Sequence, residues 1–236
     1  MNALLLSAGE ATRLRPLSLG TPKCLFPLFE NEPILKYWID VLTSVRIKQI
    51  YVDVFWLKYR VIDYLQSLKL KNVVWYEEDY LEPVGEVLSK LKDSLGEKFL
   101  IVNSDTYIGE DQVRRFIIKT KVDSNKSICL AIEKRKNVLG KGKVILSPDR
   151  CTVFDFVEKP IIDEPGYVWA GMALMGREVI HSYSTKELIQ KELSDIFSDF
   201  KGRMSSLNVG RVYDIGSSLR TYCKTYLRLN KDSNSD

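Results

Sequence analysis

Residues 4–24 read LLLSAGEATRLRPLSLGTPKC. An apolar run at 4–6 has the character of a buried strand. It breaks at once into small residues, two arginines follow within a few positions, and a Pro-Lys pair closes the stretch. In open α/β sheets ligands gather beyond the carboxyl ends of the strands, so the segment after this first strand is where a site is expected. Ser7, Ala8, Gly9 and Ala11 are small enough to let backbone amides approach a ligand, and Gly9 is free to take a left-handed turn that suits an amide nest for anions. Arg13 offers a planar fork for phosphate oxygens and Lys23 a movable point charge. Arg13, Arg15 and Lys23 repel one another unless an anion sits among them, and together they describe a site for a polyphosphate. Arg15 either assists or faces water. Pro16 and Pro22 stiffen the loop.

Outward from this stretch the first half of the chain alternates short apolar runs with amphipathic ones, the pattern of βαβ units on a parallel sheet. NALLLS, QIYVDVFW, NVVWYE and KFLIVNS are read as strands; PILKYWIDVLTS, RVIDYLQSL and GEVLSKLKDSL as the helices between them. After about Ser124 the texture changes. SICLAIEK, GKVILS, TVFDFVEK and GYVWAGMALMG are strand-like with turn residues between, and helical pattern returns in KELIQKELSDIFSDF and again after VYDIGSS. The fold class is α/β: a Rossmann-like, doubly wound, mostly parallel central sheet with a mixed or antiparallel extension.

Composition removes several function classes. The chain has 236 residues, 45% apolar and 28% charged, which is ordinary for a globular domain. Its +4 balance arises from 35 basic against 31 acidic residues spread along the chain, unlike the clustered excess of a nucleic-acid binder. Cys24, Cys129, Cys151 and Cys223 form no C-x-x-C pair, so neither a disulfide framework nor a zinc knuckle is expected, and a reducing cytoplasm is the simplest location. The apolar residues near the start are too few for a signal segment or a membrane span. A single histidine, His181, speaks against multi-histidine metal sites and a Ser-His-Asp hydrolase.

The opening loop matches neither G-x-x-x-x-G-K-[ST] nor G-x-G-x-x-G. It resembles the signature L-x-[GA]-G-x-G-T-R-[LM]-x-P-L-[TS]…P-K of the sugar nucleotidyltransferases, the nucleoside-diphosphate-sugar pyrophosphorylases. Leu6, Gly9, Thr12, Arg13, Leu14, Pro16, Leu17, Ser18, Pro22 and Lys23 fall in register, with Ala11 in place of a glycine. Three later stretches keep the family's order. KFLIVNSD ends in Asp105, with Ser104 for the usual glycine. FDFVEKP resembles F-x-E-K-P. VYDIGSS resembles W-x-D-[IV]-G-T-P, with Ser217 and Ser218 for Thr-Pro; either serine also suits a helix N-cap. EPVGEVLSKL is a weaker match to a G-T-A-G-A-L helix start, through Gly85 and its apolar spacing.

The resemblance implies a Mg²⁺-dependent transfer of a nucleotidyl group from an NTP to a sugar 1-phosphate, with pyrophosphate leaving. It implies nucleotide binding by Leu6, Ser7, Ala8, Gly9, Glu10, Ala11, Thr12, Gly85 and Asp105, and catalysis by Arg13 on the leaving pyrophosphate and Lys23 on the α-phosphate. It also implies metal binding by Asp105 and Asp214. Taken from its residues alone, a carboxylate at the end of a parallel strand suits Mg²⁺, which takes oxygen ligands. Glu158 and Lys159 are implied to meet the acceptor's hydroxyls and phosphate, and Gly171 and Trp169 to lie on the acceptor strand, Trp169 where a sugar-contacting asparagine is common. That substitution keeps a non-hexose acceptor in view; Ala11, Trp169 and the altered 82–87 stretch keep in view a non-catalytic, sugar-nucleotide-binding regulatory subunit. The organisation expected is one nucleotidyltransferase domain over 1–229, nucleotide-binding at about 1–124 and acceptor-binding at about 125–229, with a flexible tail at 230–236. No hexapeptide repeats follow, so an appended acyltransferase β-helix is not expected. Partners are the NTP and the phosphorylated acceptor, with no nucleic acid and no membrane. VWAGMALM is read as core, and a homodimer is left open.

Overall fold

A computed structural model describes residues 1–29, 31–122 and 126–232. In chain order its elements are β1 (Asn2–Leu6), β2 (Pro27–Phe29), β3 (Glu32–Pro33), α1 (Ile34–Ser44), β4 (Ile50–Val54), α2 (Lys58–Ser67), β5 (Val73–Glu77) and α3 (Val84–Leu95). There follow β6 (Lys98–Asn103), β7 (Thr106–Tyr107), α4 (Glu110–Val122), β8 (Ile128–Arg135), β9 (Lys143–Leu146), β10 (Thr152–Val157) and β11 (Gly166–Gly176). The chain ends in α5 (Arg177–His181), α6 (Thr185–Leu188), α7 (Leu193–Asp199), β12 (Met204–Asn208), β13 (Tyr213–Asp214) and α8 (Leu219–Asp232). The change of character expected near residue 124 and the tail beyond 232 lie outside the described residues; 230–232 form the end of α8.

These elements pack as two compact units. One holds Asn2–Leu81, Val102–Tyr107 and the chain from Tyr213 onward; the other holds Glu82–Ile101 and Ile108–Val212. In the first unit β1, β4 and β5 run parallel, with Leu4 opposite Tyr51 and Tyr51 opposite Val74. Successive parallel strands require a crossover, and α1 and α2 supply it. Ile34, Leu35, Trp38, Ile39 and Leu42 of α1 are all fully buried, as their helical spacing predicts. At about 1.5–3 kcal/mol for each large apolar side chain removed from water, this stripe and the buried residues of β1 and β4 hold the unit together. The C-terminal α8 is fastened to β2 by Tyr222 Oη donating to the Pro27 carbonyl and Asn230 Nδ2 to that of Leu28, each at 2.9 Å.

The second unit is mixed, with strand order β6-β11-β8-β12-β10-β9. β11 runs antiparallel to β8, and β10 antiparallel to β9. β12 lies between β8 and β10, parallel to β8; its sequence MSSLN carries no alternation strong enough to announce a strand. The helical pattern of KELIQKELSDIFSDF resolves into two helices, α6 and α7, each with its own capping box, at Ser184 and at Glu192. The α/β class stands, with parallel βα units in the first unit and a mixed sheet in the second. Among the described residues no helix is long and apolar enough to cross a membrane.

Candidate active site

The first unit carries the loop that follows β1. Leu6 ends the strand, and its carbonyl accepts both the Ser104 amide (3.2 Å) and the Ser104 hydroxyl (2.8 Å), so the serine standing for glycine here uses its hydroxyl to tie two chain segments together. The amides of Ser7 and Ala8 do not point to an open nest. Both donate to Oδ1 of Asp53, the second at 3.0 Å, and Asp53 is only 3% exposed. The left-handed residue is Ala11, with φ 51° and ψ 45°, and not Gly9, which is absent from the positive-φ positions. This corrects the expectation for Gly9. It also shows what a glycine at position 11 would supply, since the left-handed region costs an L-residue about 1–2 kcal/mol. Around Gly9, its chain neighbours aside, no atom of the described residues lies within 4 Å of where a Cβ would stand, so the backbone is bare on that side.

Beyond Ala11 the loop forms short 3₁₀ turns at Thr12–Leu14, Leu17–Leu19 and Lys23–Leu25. Leu14 and Ser18 are buried, while Thr12 and Arg13 are exposed. Arg13 has no hydrogen-bond or ion-pair partner among the described residues. Arg15 is turned to Glu10 at 3.5 Å in a solvent-exposed pair. The Ser7 hydroxyl is buried without a partner among the described residues.

Lys23 and Asp105 meet although they are 82 residues apart. Lys23 Nζ lies 2.6 Å from Asp105 Oδ2, the two side chains 19% and 20% exposed. The backbone sets this up. β7 and β13 pair antiparallel, with Thr106 opposite Asp214, and the Ile215 amide donates to the Asp105 carbonyl at 2.9 Å. Asp105, in the turn just before β7, and Asp214, at the end of β13, are therefore brought to the same end of one small ribbon, Asp214 Oδ1 accepting the Gly216 amide at 2.7 Å. Gly216 is needed without a side chain, because a Cβ there would collide with Asp105 Oδ2 and stand 3.2 Å from Lys23 Nζ. The rings of Tyr107 and Tyr213, next to these aspartates, lie 6.0 Å apart, and Tyr107 also contacts Tyr37 and Phe29. Ser218 caps α8, accepting the Thr221 amide at 3.2 Å. Cys24, beside Lys23, has its thiol pushed up to about 12 by burial, so it stays protonated and chemically quiet.

Among the described residues no group of three or more acidic, histidine or cysteine side chains could hold a metal by itself. Two carboxylates at one end of a ribbon do suit Mg²⁺, which is commonly held by one or two carboxylates together with substrate phosphates and water. The donor set therefore fits an ion that arrives with a polyphosphate.

The remaining predicted residues belong to the second unit. Glu158 and Lys159 follow β10, their charged ends 3.5 Å apart and their side chains 43% and 71% exposed. Lys159 has φ 46°, and its amide donates to the Lys141 carbonyl at 3.0 Å. Trp169 packs edge-on against Phe197, centroids 5.2 Å apart, and its Nε1 donates to the Met172 carbonyl at 3.0 Å. Gly171 has φ 82° inside the irregular register of β11 between Trp169 and Ala173, a bulge that favours glycine. Gly85 opens α3 against the 188–191 turn. A Cβ there would collide with the Leu188 carbonyl oxygen and come within 2.9 Å of that of Lys191, so backbone packing is a sufficient reason for this glycine. Asp53 and Trp56, which hold the loop after β1, are residues that the motif reading passed over, whereas Gly216 falls within the VYDIGSS match. The signal for Asp53 was present: a charged residue inside the otherwise apolar run of β4 is buried only if it is hydrogen-bonded.

A model of the nucleotidyl transferase family matches residues 2–217. The chain belongs to the nucleotidyl transferase family. Relatives of this family member include the bifunctional protein GlmU of Methanocaldococcus jannaschii, 28% identical over 91% of this chain and 52% of that protein. Mannose-1-phosphate guanylyltransferase 1 of Arabidopsis thaliana is also 28% identical, over 99% of this chain and 65% of that protein. The chain thus spans about half to two thirds of the length of these relatives. Among solved structures, the CTP:phosphocholine cytidylyltransferase of Streptococcus pneumoniae has the same fold, with a TM-score of 0.75 at 21% identity, covering 97% of this chain and 99% of that one.

Proposed function

We propose that this chain transfers a nucleotidyl group from an NTP to a phosphorylated small molecule, a sugar 1-phosphate in the first instance, with release of pyrophosphate. One observation carries the reading: a lysine and an aspartate from distant parts of the sequence are paired at 2.6 Å, beside a glycine that leaves them room and next to a second aspartate, in the unit that also carries the bare Gly9 backbone and the unpartnered Arg13. The family membership supports the same chemistry, and a relative named for mannose 1-phosphate supports the acceptor class.

In this reading the exposed guanidinium of Arg13 binds the pyrophosphate that leaves, and the Lys23 ammonium faces the α-phosphate as charge builds on it. The acceptor's phosphate is already an anion at neutral pH, so no strong general base is required, in keeping with a chain whose one histidine is exposed and bonded to Arg177. Asp105 and Asp214 would hold Mg²⁺, which when bound supplies charge neutralisation across the triphosphate oxygens. Glu158 and Lys159 bind the acceptor, the first through hydroxyls and the second through its phosphate.

A second reading of the acceptor rests on Trp169. Its single donor is already committed to the Met172 carbonyl, so it offers no hydrogen bond to a sugar hydroxyl, which favours an acceptor poorer in hydroxyls, such as a phosphorylated amino alcohol. Pyrophosphate release measured with each NTP against a panel of hexose 1-phosphates, phosphocholine and polyol phosphates, with and without Mg²⁺, tests both. Release with one NTP and one acceptor, dependent on Mg²⁺, is the expected result; no release with any pair would overturn the proposal.

A further inference from the structure

We propose that Asp53 and Trp56, at and just beyond the end of β4, are positioning residues for the nucleotide, acting through the loop at 7–18. The inference rests on reading that loop as the nucleotide-binding one. The carboxylate of a residue that is 3% exposed must be hydrogen-bonded to be tolerated, and Asp53 spends Oδ1 on two consecutive loop amides, those of Ser7 and Ala8. Three residues on, the Trp56 amide donates to the Ala8 carbonyl at 3.2 Å, and Trp56 Nε1 donates to the Ser18 carbonyl at 2.8 Å. Ser18 passes the restraint back, its hydroxyl donating to the Ala11 carbonyl at 2.9 Å, the same carbonyl that accepts the Leu14 amide.

The end of β4 thus holds the loop at residues 7, 8 and 18 directly and at residue 11 through Ser18. Between those points the path of Gly9 and the left-handed turn at Ala11 are set, and with them the direction in which Arg13 leaves the loop. There is also an electrostatic consequence. Because the amides of residues 7 and 8 are spent on a buried carboxylate, they are withheld from an anion. The polyphosphate is left to the bare backbone at Gly9 and to the cations at Arg13 and Lys23. Asp53 therefore fixes where the phosphates do not sit, without touching substrate.

Three variants separate positioning from mere structural support. Trp56→Phe removes one donor and keeps a ring; Asp53→Ala removes the acceptor; Asp53→Asn keeps an oxygen at Oδ1 and removes the charge. NTP binding to the wild-type chain is measured first by calorimetry, then KM for NTP, KM for acceptor, kcat and Tm for each variant. Trp56→Phe and Asp53→Ala are expected to raise the NTP KM about 10- to 100-fold, as misplacement of a binding group does, with the acceptor KM within about twofold of wild type. Asp53→Asn is expected to recover most of the loss. Should Asp53→Ala fail to fold, Trp56→Phe decides. An unchanged NTP KM in Trp56→Phe, or both KM values rising together with a fall in Tm, overturns the proposal while the wild-type binding upholds the nucleotide reading. A wild-type chain that binds no NTP overturns both.

Discussion

The two units hold their candidate residues in opposite ways. In the first, Lys23 and Asp105 are about one-fifth exposed and pressed against Gly216, and the neighbouring Asp214 is placed by strand register. In the second, Lys159 stands largely in solvent and Glu158 is a little under half exposed, with each other as partner, while Trp169 is spent on packing. The difference teaches where preorganisation is invested. Charge building on a transferring phosphorus has to be met by groups already in position, because reorganising them during the reaction costs part of their benefit. Under the proposed function, an acceptor that arrives and leaves is met by the more exposed pair, whose replacement disturbs the fold least.

That contrast is easiest to break at Lys23. Lys23→Ala is expected to lower kcat by about 10²–10³-fold, the scale set by removing one preorganised charge-stabilising group, with little change in Tm because Asp105 reaches water once the lysine is gone. A variant with near-normal pyrophosphate release would end the assignment and the comparison with it. Lys159→Ala gives the milder counterpart. An exposed charge is worth up to about 1 kcal/mol, so the acceptor KM should rise about fivefold while the NTP KM holds steady. A larger effect on NTP than on acceptor would place Lys159 with the wrong substrate. The smallest effect sharpens the loop itself: Ala11→Gly should raise stability by about 0.5–1 kcal/mol, read as a higher Tm, since glycine relieves the left-handed strain but gives back some chain entropy. A lower Tm would mean that the alanine conformation is not strained in the folded protein.

Periodicity was sufficient for much of the architecture. The alternation of apolar runs and amphipathic helices announced β1, β4, β5, β6 and the helices between them, because burial on a sheet and burial on one helix face leave different repeats. It did not announce β12, whose short polar sequence is a strand only because β8 and β10 lie on either side of it, nor the break between α6 and α7, made by two successive caps. In the loop the cations and small residues were legible, whereas the conformation was not: Ala11, rather than Gly9, takes the left-handed turn.

By its sequence alone the chain declared an α/β fold and the ordered motifs around Gly9, Arg13, Lys23, Asp105, Glu158 and Asp214, since residue type and spacing are local properties. Only the tertiary structure decided that the Lys23 ammonium meets Asp105 beside Asp214 and that Asp53 takes the amides of Ser7 and Ala8. Those contacts join residues tens to more than a hundred positions apart. Their energies depend on strand register and on the exclusion of water, and neither is written in any short stretch of residues.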